Sequence, residues 1–120
     1  IDLCTELDGL GFLASDDGRT MTAEQLEEIC FQIITYAGEA RSCFIEALRH
    51  AKDADKTKAR ALLAEGNQHL IEAEKVHMQL IQREANDEPV EIKMILMHAE
   101  DLMMSADTIH ILVEELITLL

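Results

Sequence analysis

Four consecutive residues near the C-terminal end of the chain, His98-Ala99-Glu100-Asp101, hold the side chains best suited to chemistry. A free imidazole titrates near about pH 6.5, so much of it is neutral and nucleophilic around neutral pH without a separate base. Asp101 follows His98 by three residues and shares its side of a helix, where a carboxylate can orient the ring by a hydrogen bond. Glu100, two residues along, points about 200° away and reads as a solvated charge. The spacings H-x-x-x-H, C-x-x-C and G-x-S-x-G and a glycine-rich phosphate loop are missing from the chain. Hydrolase, kinase and dehydrogenase chemistries of those kinds therefore have no residues to rest on. His50, His69, His77 and His110 lie in amphipathic sequence without a partner at metal-binding or catalytic spacing, and read as surface or boundary residues.

The run from Ile92 to Leu120 must position His98. At about 100° per residue, Ile95, Ala99, Leu102, Ala106, Ile109, Val113 and Leu116 fall on one face, an ordinary core stripe. A second apolar strip carries Met94, Met97, Met104, Ser105, Thr108 and Leu112, with Lys93, Glu100, Asp107 and Glu114 on the solvent side between the two. A small bundle buries one face internally, so the second is expected to meet another subunit, with Asp101 in its middle and His98 at its border.

Two further helices precede this one. Thr22-Ala23-Glu24-Gln25 fits a capping box, after which Leu26, Ile29, Cys30, Ile33, Ala37, Ala40, Phe44 and Ala47 recur at helical spacing to about Ala51. Lys52-Asp53-Ala54-Asp55 is a short polar connection with Asp55 as a cap. Leu62, Gly66, Leu70, Ala73 and Leu80 then share a face to about Arg83, and Pro89 suits the first turn of the third helix. Connections this short favour an all-α, antiparallel, up-down-up three-helix bundle. Small residues such as Ala37, Gly38, Ala40 and Gly66 permit close helix approach.

Composition agrees. The chain has 120 residues, 48% apolar and only 3% aromatic, with one proline, which suits one helical domain over residues 21–120 rather than a sheet. Residues 1–20 hold Gly9, Gly11 and Gly18 beside Ser15-Asp16-Asp17, lack helical periodicity, and read as an N-terminal extension. A formal net charge of −14 disfavours nucleic acid or an anionic membrane surface as partner and favours a basic patch on a protein. Cys4, Cys30 and Cys43 are odd in number and unpaired in spacing, which points to a reducing cytosol rather than a disulfide framework or zinc site. No signal peptide is evident, and the uncharged stretches of the third helix fall short of the roughly 20 residues a membrane span needs.

The run Met94-Ile95-Leu96-Met97-His98-Ala99-Glu100-Asp101-Leu102-Met103 resembles the phosphorylated histidine segment, V-x-H-A/G-Q-D-H-L-M, of the lactose/cellobiose class of enzyme IIA in the bacterial sugar phosphotransferase system. Ile33 to Ser42 is similar to that family's I-I-x-x-A/S-G-x-A-R-S, and Leu70 to Ile81 to its L-x-E-A-H-x-x-Q-x-x-L-I. The likeness runs from Thr22 to Leu120. Leu102 and Glu74 stand where the patterns have histidines, and Glu100 where the first has glutamine.

The resemblance implies a cytoplasmic phosphocarrier that assembles as a homotrimer. His98 would accept a phosphoryl group from the histidine phosphocarrier protein and pass it to a cysteine of enzyme IIB, during uptake of lactose, cellobiose, chitobiose or a related sugar that the chain itself never binds. Asp101 would lie on the three-fold axis, where three copies hold Mg²⁺ or a similar divalent cation, a match of hard ion and oxygen ligands. Two other readings are a helical interaction or regulatory module that kept the bundle and lost phosphotransfer, and an acidic metal-binding oligomer in which His98 is dispensable.

Overall fold

The structure, a computed structural model, describes residues 20–120. The expected extension therefore lies, but for Thr20, outside the described residues, as does Cys4. Three helices follow one another: α1 over Ala23–Lys52, α2 over Lys56–Ala85 and α3 over Met94–Leu119.

Their ends follow from local chemistry. The Thr22 hydroxyl accepts from the Gln25 amide at 3.1 Å and the Gln25 side chain accepts from the Thr22 amide at 2.9 Å, the reciprocal box that starts α1. Asp55 accepts from the Lys58 amide and starts α2. Both helices end in the same way. The amides of Asp55 and Glu88 reach back to the carbonyls of His50 and Arg83, each at 2.9 Å, while Ala54 and Asp87 turn left-handed at φ 63° and 60°. Helix α3 starts later than Pro89 suggests. Residues 88–93 are not helical, and Lys93 caps α3 without a side-chain bond, because its ammonium only donates and has no acceptor for the first-turn amides. Val90 packs against the core instead.

The buried residues of α1, namely Leu26, Cys30, Ile33, Ala37, Ala40, Phe44, Ala47 and Ala51, step by four and three without a break. That 3.5-residue period is the seam of left-handed helix packing. On α2 the same stepping joins Ala59, Leu63, Gly66, Leu70 and Ala73, then His77 and Leu80, with Val76 buried alongside. Leu62, expected on this face, is only partly buried. On α3 the seam is Leu96, Ala99, Met103, Ala106, His110, Val113 and Ile117. The stripe expected through Ile95, Leu102 and Leu116 is thus displaced. Ile95 and Leu102 flank the core, and Leu116 is exposed. His110 is a boundary residue, as expected, and its ring stacks on Phe44 at 4.8 Å and 28°.

Glu39 faces His69 and Cys43 lies with Glu65, so α1 and α2 run antiparallel. The Phe44–His110 contact and the influence of Glu100 on Cys30 place α3 parallel to α1. This is the expected up-down-up bundle, and α1, which packs on both other helices, is its spine.

Candidate functional site

Helix α3 has two apolar seams, and the second faces outward. Met94, Met97, Asp101, Met104, Thr108 and Ile111 step by three and four in the same 3.5-residue rhythm as the core seam, and all six are exposed. The methionines are 81%, 55% and 65% accessible, while Ile111 and Leu112 extend the strip toward the C-terminal end. An exposed apolar row of this length on one helix marks a contact surface. The strip expected from the sequence is therefore present, uncovered within the protomer.

His98 sits in the second turn of α3 beside this strip, with its ring exposed and free of hydrogen bonds or ion pairs among the described residues. Packing of Leu96, Ala99 and Met103 into the core fixes the backbone beneath it. A reacting group on a helix so anchored is held in place while its ring remains open to an incoming partner. Asp101 is exposed one turn further along the same side. Nothing in the protomer joins the two side chains directly.

Glu100 departs from expectation. It is not simply solvated: its Oε2 lies 2.7 Å from Nε2 of His77, whose side chain is only 16% exposed. A carboxylate can only accept, so the His77 Nε2 carries the hydrogen. The pair closes α2 over α3 near Cys30, and burial first, then Glu100 and Glu27, push the Cys30 thiol up. His77 was legible as a helix residue but not as a partner, because its contact lies 23 positions away. Beside the pair a shallow groove runs between the end of α2 and the start of α3, lined by Leu80, Ile81, Val90, Ile92 and Met97. A separate acidic concavity on the outer face of α1, around Phe31 and Tyr36, includes neither His98 nor Asp101.

Glu74 and Leu102, at the two positions where the family patterns have histidine, differ in setting. Glu74 is exposed and Leu102 is partly buried against the core. His50 approaches the α2 cap Asp55 at 4.0 Å, and His69 lies between two carboxylates on neighbouring helices. No helix among the described residues is long and apolar enough to cross a membrane.

Residues 28–120 match the family described as "PTS system, Lactose/Cellobiose specific IIA subunit". The chain is 43% identical over 93 residues to the oligo-beta-mannoside-specific EIIA component of Bacillus subtilis (strain 168), covering 78% of this chain and 84% of that one. It superimposes on the cellobiose-specific enzyme IIA from Bacillus anthracis with a TM-score of 0.77 at 38% identity, over 82% of this chain and 89% of that one. The IIA of the Escherichia coli N,N'-diacetylchitobiose branch, solved in complex with HPr, is similar at a TM-score of 0.69 and 34% identity, over 81% and 94% of the two chains.

Proposed function

The chain belongs to the lactose/cellobiose-specific IIA subunits of the sugar phosphotransferase system, and on that premise we propose that His98 is its phosphoryl acceptor and donor. The observation that carries the proposal is an exposed imidazole on a helix whose other face is locked into the core. The lone pair of a neutral ring nitrogen attacks phosphorus of the phosphohistidine on the histidine phosphocarrier protein. The donor's P–N bond breaks, and its electron pair returns to the donor imidazole. In the second transfer a thiolate of enzyme IIB attacks, a P–S bond forms, the His98 P–N bond breaks, and its electron pair returns to the ring, which has kept its other N–H throughout and so leaves as neutral imidazole. Such transfers need in-line positioning more than covalent help from side chains. A similar IIA solved with HPr supports this choice of first partner.

The outward seam of α3 suits a homotrimer in which three copies pack around an axis. Three Asp101 carboxylates would then meet among methionines, and like charges there need neutralising. A hard divalent cation such as Mg²⁺ fits three carboxylates and would hold the assembly rather than the phosphoryl group. The cargo is a lactose-, cellobiose- or chitobiose-type sugar, chosen by the membrane component.

Incubation with phosphoenolpyruvate, enzyme I and the phosphocarrier protein tests the reading. Wild type should gain one acid-labile phosphoryl group, His98→Ala none. Equal labelling of the variant would place the site elsewhere. Failure of wild type to accept phosphate from active partners would favour the interaction-module reading, for which the exposed Glu74 and partly buried Leu102 already replace histidines of the family patterns.

A further inference from the structure

Away from His98, α1 and α2 present a second set of ligating side chains. Glu39 and Cys43 stand four residues apart on α1, and Glu65 and His69 four apart on α2. Residues at that spacing are neighbours on a helix surface, so the two pairs face each other as four corners of one cluster. The Cys43 Sγ, a Glu65 carboxylate oxygen and a His69 ring nitrogen all lie within 4.8 Å of one another. The His69 ring is bracketed: Nδ1 is 3.3 Å from Glu39 Oε1, and Nε2 is 3.9 Å from Glu65 Oε2. Backbone approach makes this possible. Gly66 lies so near α1 that a Cβ there would come within 2.9 Å of the Cys43 Cβ.

We infer that Cys43, Glu65 and His69 form a binding site for a divalent ion of the zinc class, with Glu39 orienting His69 from behind. A thiolate, an imidazole and a carboxylate together are softer than the oxygen-only sets that select Mg²⁺ or Ca²⁺, and are the donors of zinc and its neighbours. Tetrahedral ligation, with metal–ligand bonds of about 2.0–2.3 Å, sets ligand atoms about 3.3–3.8 Å apart, so atoms now within 4.8 Å of one another must close by up to about 1–1.5 Å. Glu39 Oε1, 3.3 Å from His69 Nδ1 though not hydrogen-bonded to it, stands where a small shift would give the carboxylate–histidine–metal arrangement, in which Nδ1–H donates to Glu39 and Nε2 is left to ligate. Burial first, then Glu65, hold the Cys43 thiol up. A cation reverses that balance, and the thiol proton leaves to solvent as the ion binds. Glu65 is 61% exposed and His69 29%, which leaves an entry path and a fourth position open to water or another ligand.

Cobalt(II), titrated into the metal-free full chain as a stand-in for zinc, tests the site. We expect one equivalent to bind with tetrahedral visible bands and a near-ultraviolet thiolate-to-cobalt charge-transfer band, displaced by Zn²⁺. Cys43→Ala and His69→Ala should abolish the charge-transfer band and the tetrahedral spectrum respectively, whereas Cys4→Ser should keep both. Glu39→Gln, at an exposed position, should weaken Zn²⁺ binding about 10-fold or more while keeping the spectrum, as loss of an orienting partner does. Glu65→Gln, also exposed, should weaken binding without unfolding the chain, as helical circular dichroism will report. A chain that shows no charge-transfer band, or one whose band survives Cys43→Ala, overturns the site.

Discussion

His77 and Glu100 meet across the α2–α3 contact with Nε2 and Oε2 only 2.7 Å apart. In the family patterns both positions are glutamine, so two departures that look independent along the chain form one contact in space. A charge-assisted bond stands where the patterns have two amide side chains. His77→Ala and Glu100→Ala should therefore couple, with an interaction energy of about 1 kcal/mol in a double-mutant cycle followed by urea unfolding. The double variant His77→Gln/Glu100→Gln should lose less stability than Glu100→Ala alone. Strict additivity of the alanine changes would mean that the contact contributes nothing.

The proposed trimer is tested through Asp101. Chelation at neutral pH should weaken the assembly by removing a ligand that favours it by mass action. Asp101→Leu should give a trimer indifferent to chelator, and Asp101→Lys should break it by gathering three like charges. Light scattering decides, and a wild-type monomer under every condition removes the role assigned to Asp101.

Gly66→Ala should destabilise the bundle. The added Cβ would lie 2.6 and 2.8 Å from two ring atoms of the fully buried Phe44 and 2.9 Å from the Cys43 Cβ, so the packed Phe44 ring or the helix that carries it must give way. The cost expected from overpacking is about 1–3 kcal/mol, read from the denaturation midpoint. Gly38→Ala makes the contrast: nothing lies within 4 Å of its Cβ, and the change should add about 0.5–1 kcal/mol through helix propensity. If the two substitutions behaved alike, the close approach at Gly66 would be without energetic consequence.

Ala54 holds φ 63° just past the end of α1, a conformation that costs a side chain with a Cβ about 1 kcal/mol and glycine nearly nothing. Ala54→Gly should raise the melting temperature. A drop would show that the more flexible unfolded chain outweighs the relieved strain.

The Cys30 thiol is raised above its ordinary value of 9.0 by burial, then by Glu100 and Glu27. Above that value the unfolded chain releases a proton that the folded chain retains. This contribution is whole below the ordinary value and is lost as pH rises through the folded one. Above about pH 9, wild type should lose stability faster than Cys30→Ala as pH rises. Parallel curves would rule the thiol out.

What the sequence could reveal was whatever repeats along a single helix. The Thr22 and Asp55 caps, the α1 seam from Leu26 to Ala47 and the outward strip around Asp101 all have local signatures, and all stand as expected. The α3 core stripe was hidden for a physical reason. That helix carries apolar residues on more than one face, so a wheel at 3.6 residues per turn admits Ile95, Leu102 and Leu116, while packing along a 3.5-residue seam selects Leu96, Met103 and Ile117 and seats His110 between them. Pairings between helices left no local trace. His77 with Glu100, and Cys43 with Glu65 and His69, become neighbours only once α1, α2 and α3 are laid side by side.

The outward seam of α3 also changes material along its length. Near His98 it is built from Met94, Met97 and Met104, unbranched and readily reshaped; further on it turns to the β-branched Ile111 and to Leu112 and Leu116, which have fewer rotatable bonds than methionine. A stiff surface suits a lasting fit to one shape, and a plastic one suits brief fits to several. His98, the proposed phosphoryl acceptor, thus stands at the pliable end of the seam, where the proposed transfers would need partners of different contour to be accommodated while the stiffer end kept the proposed assembly together.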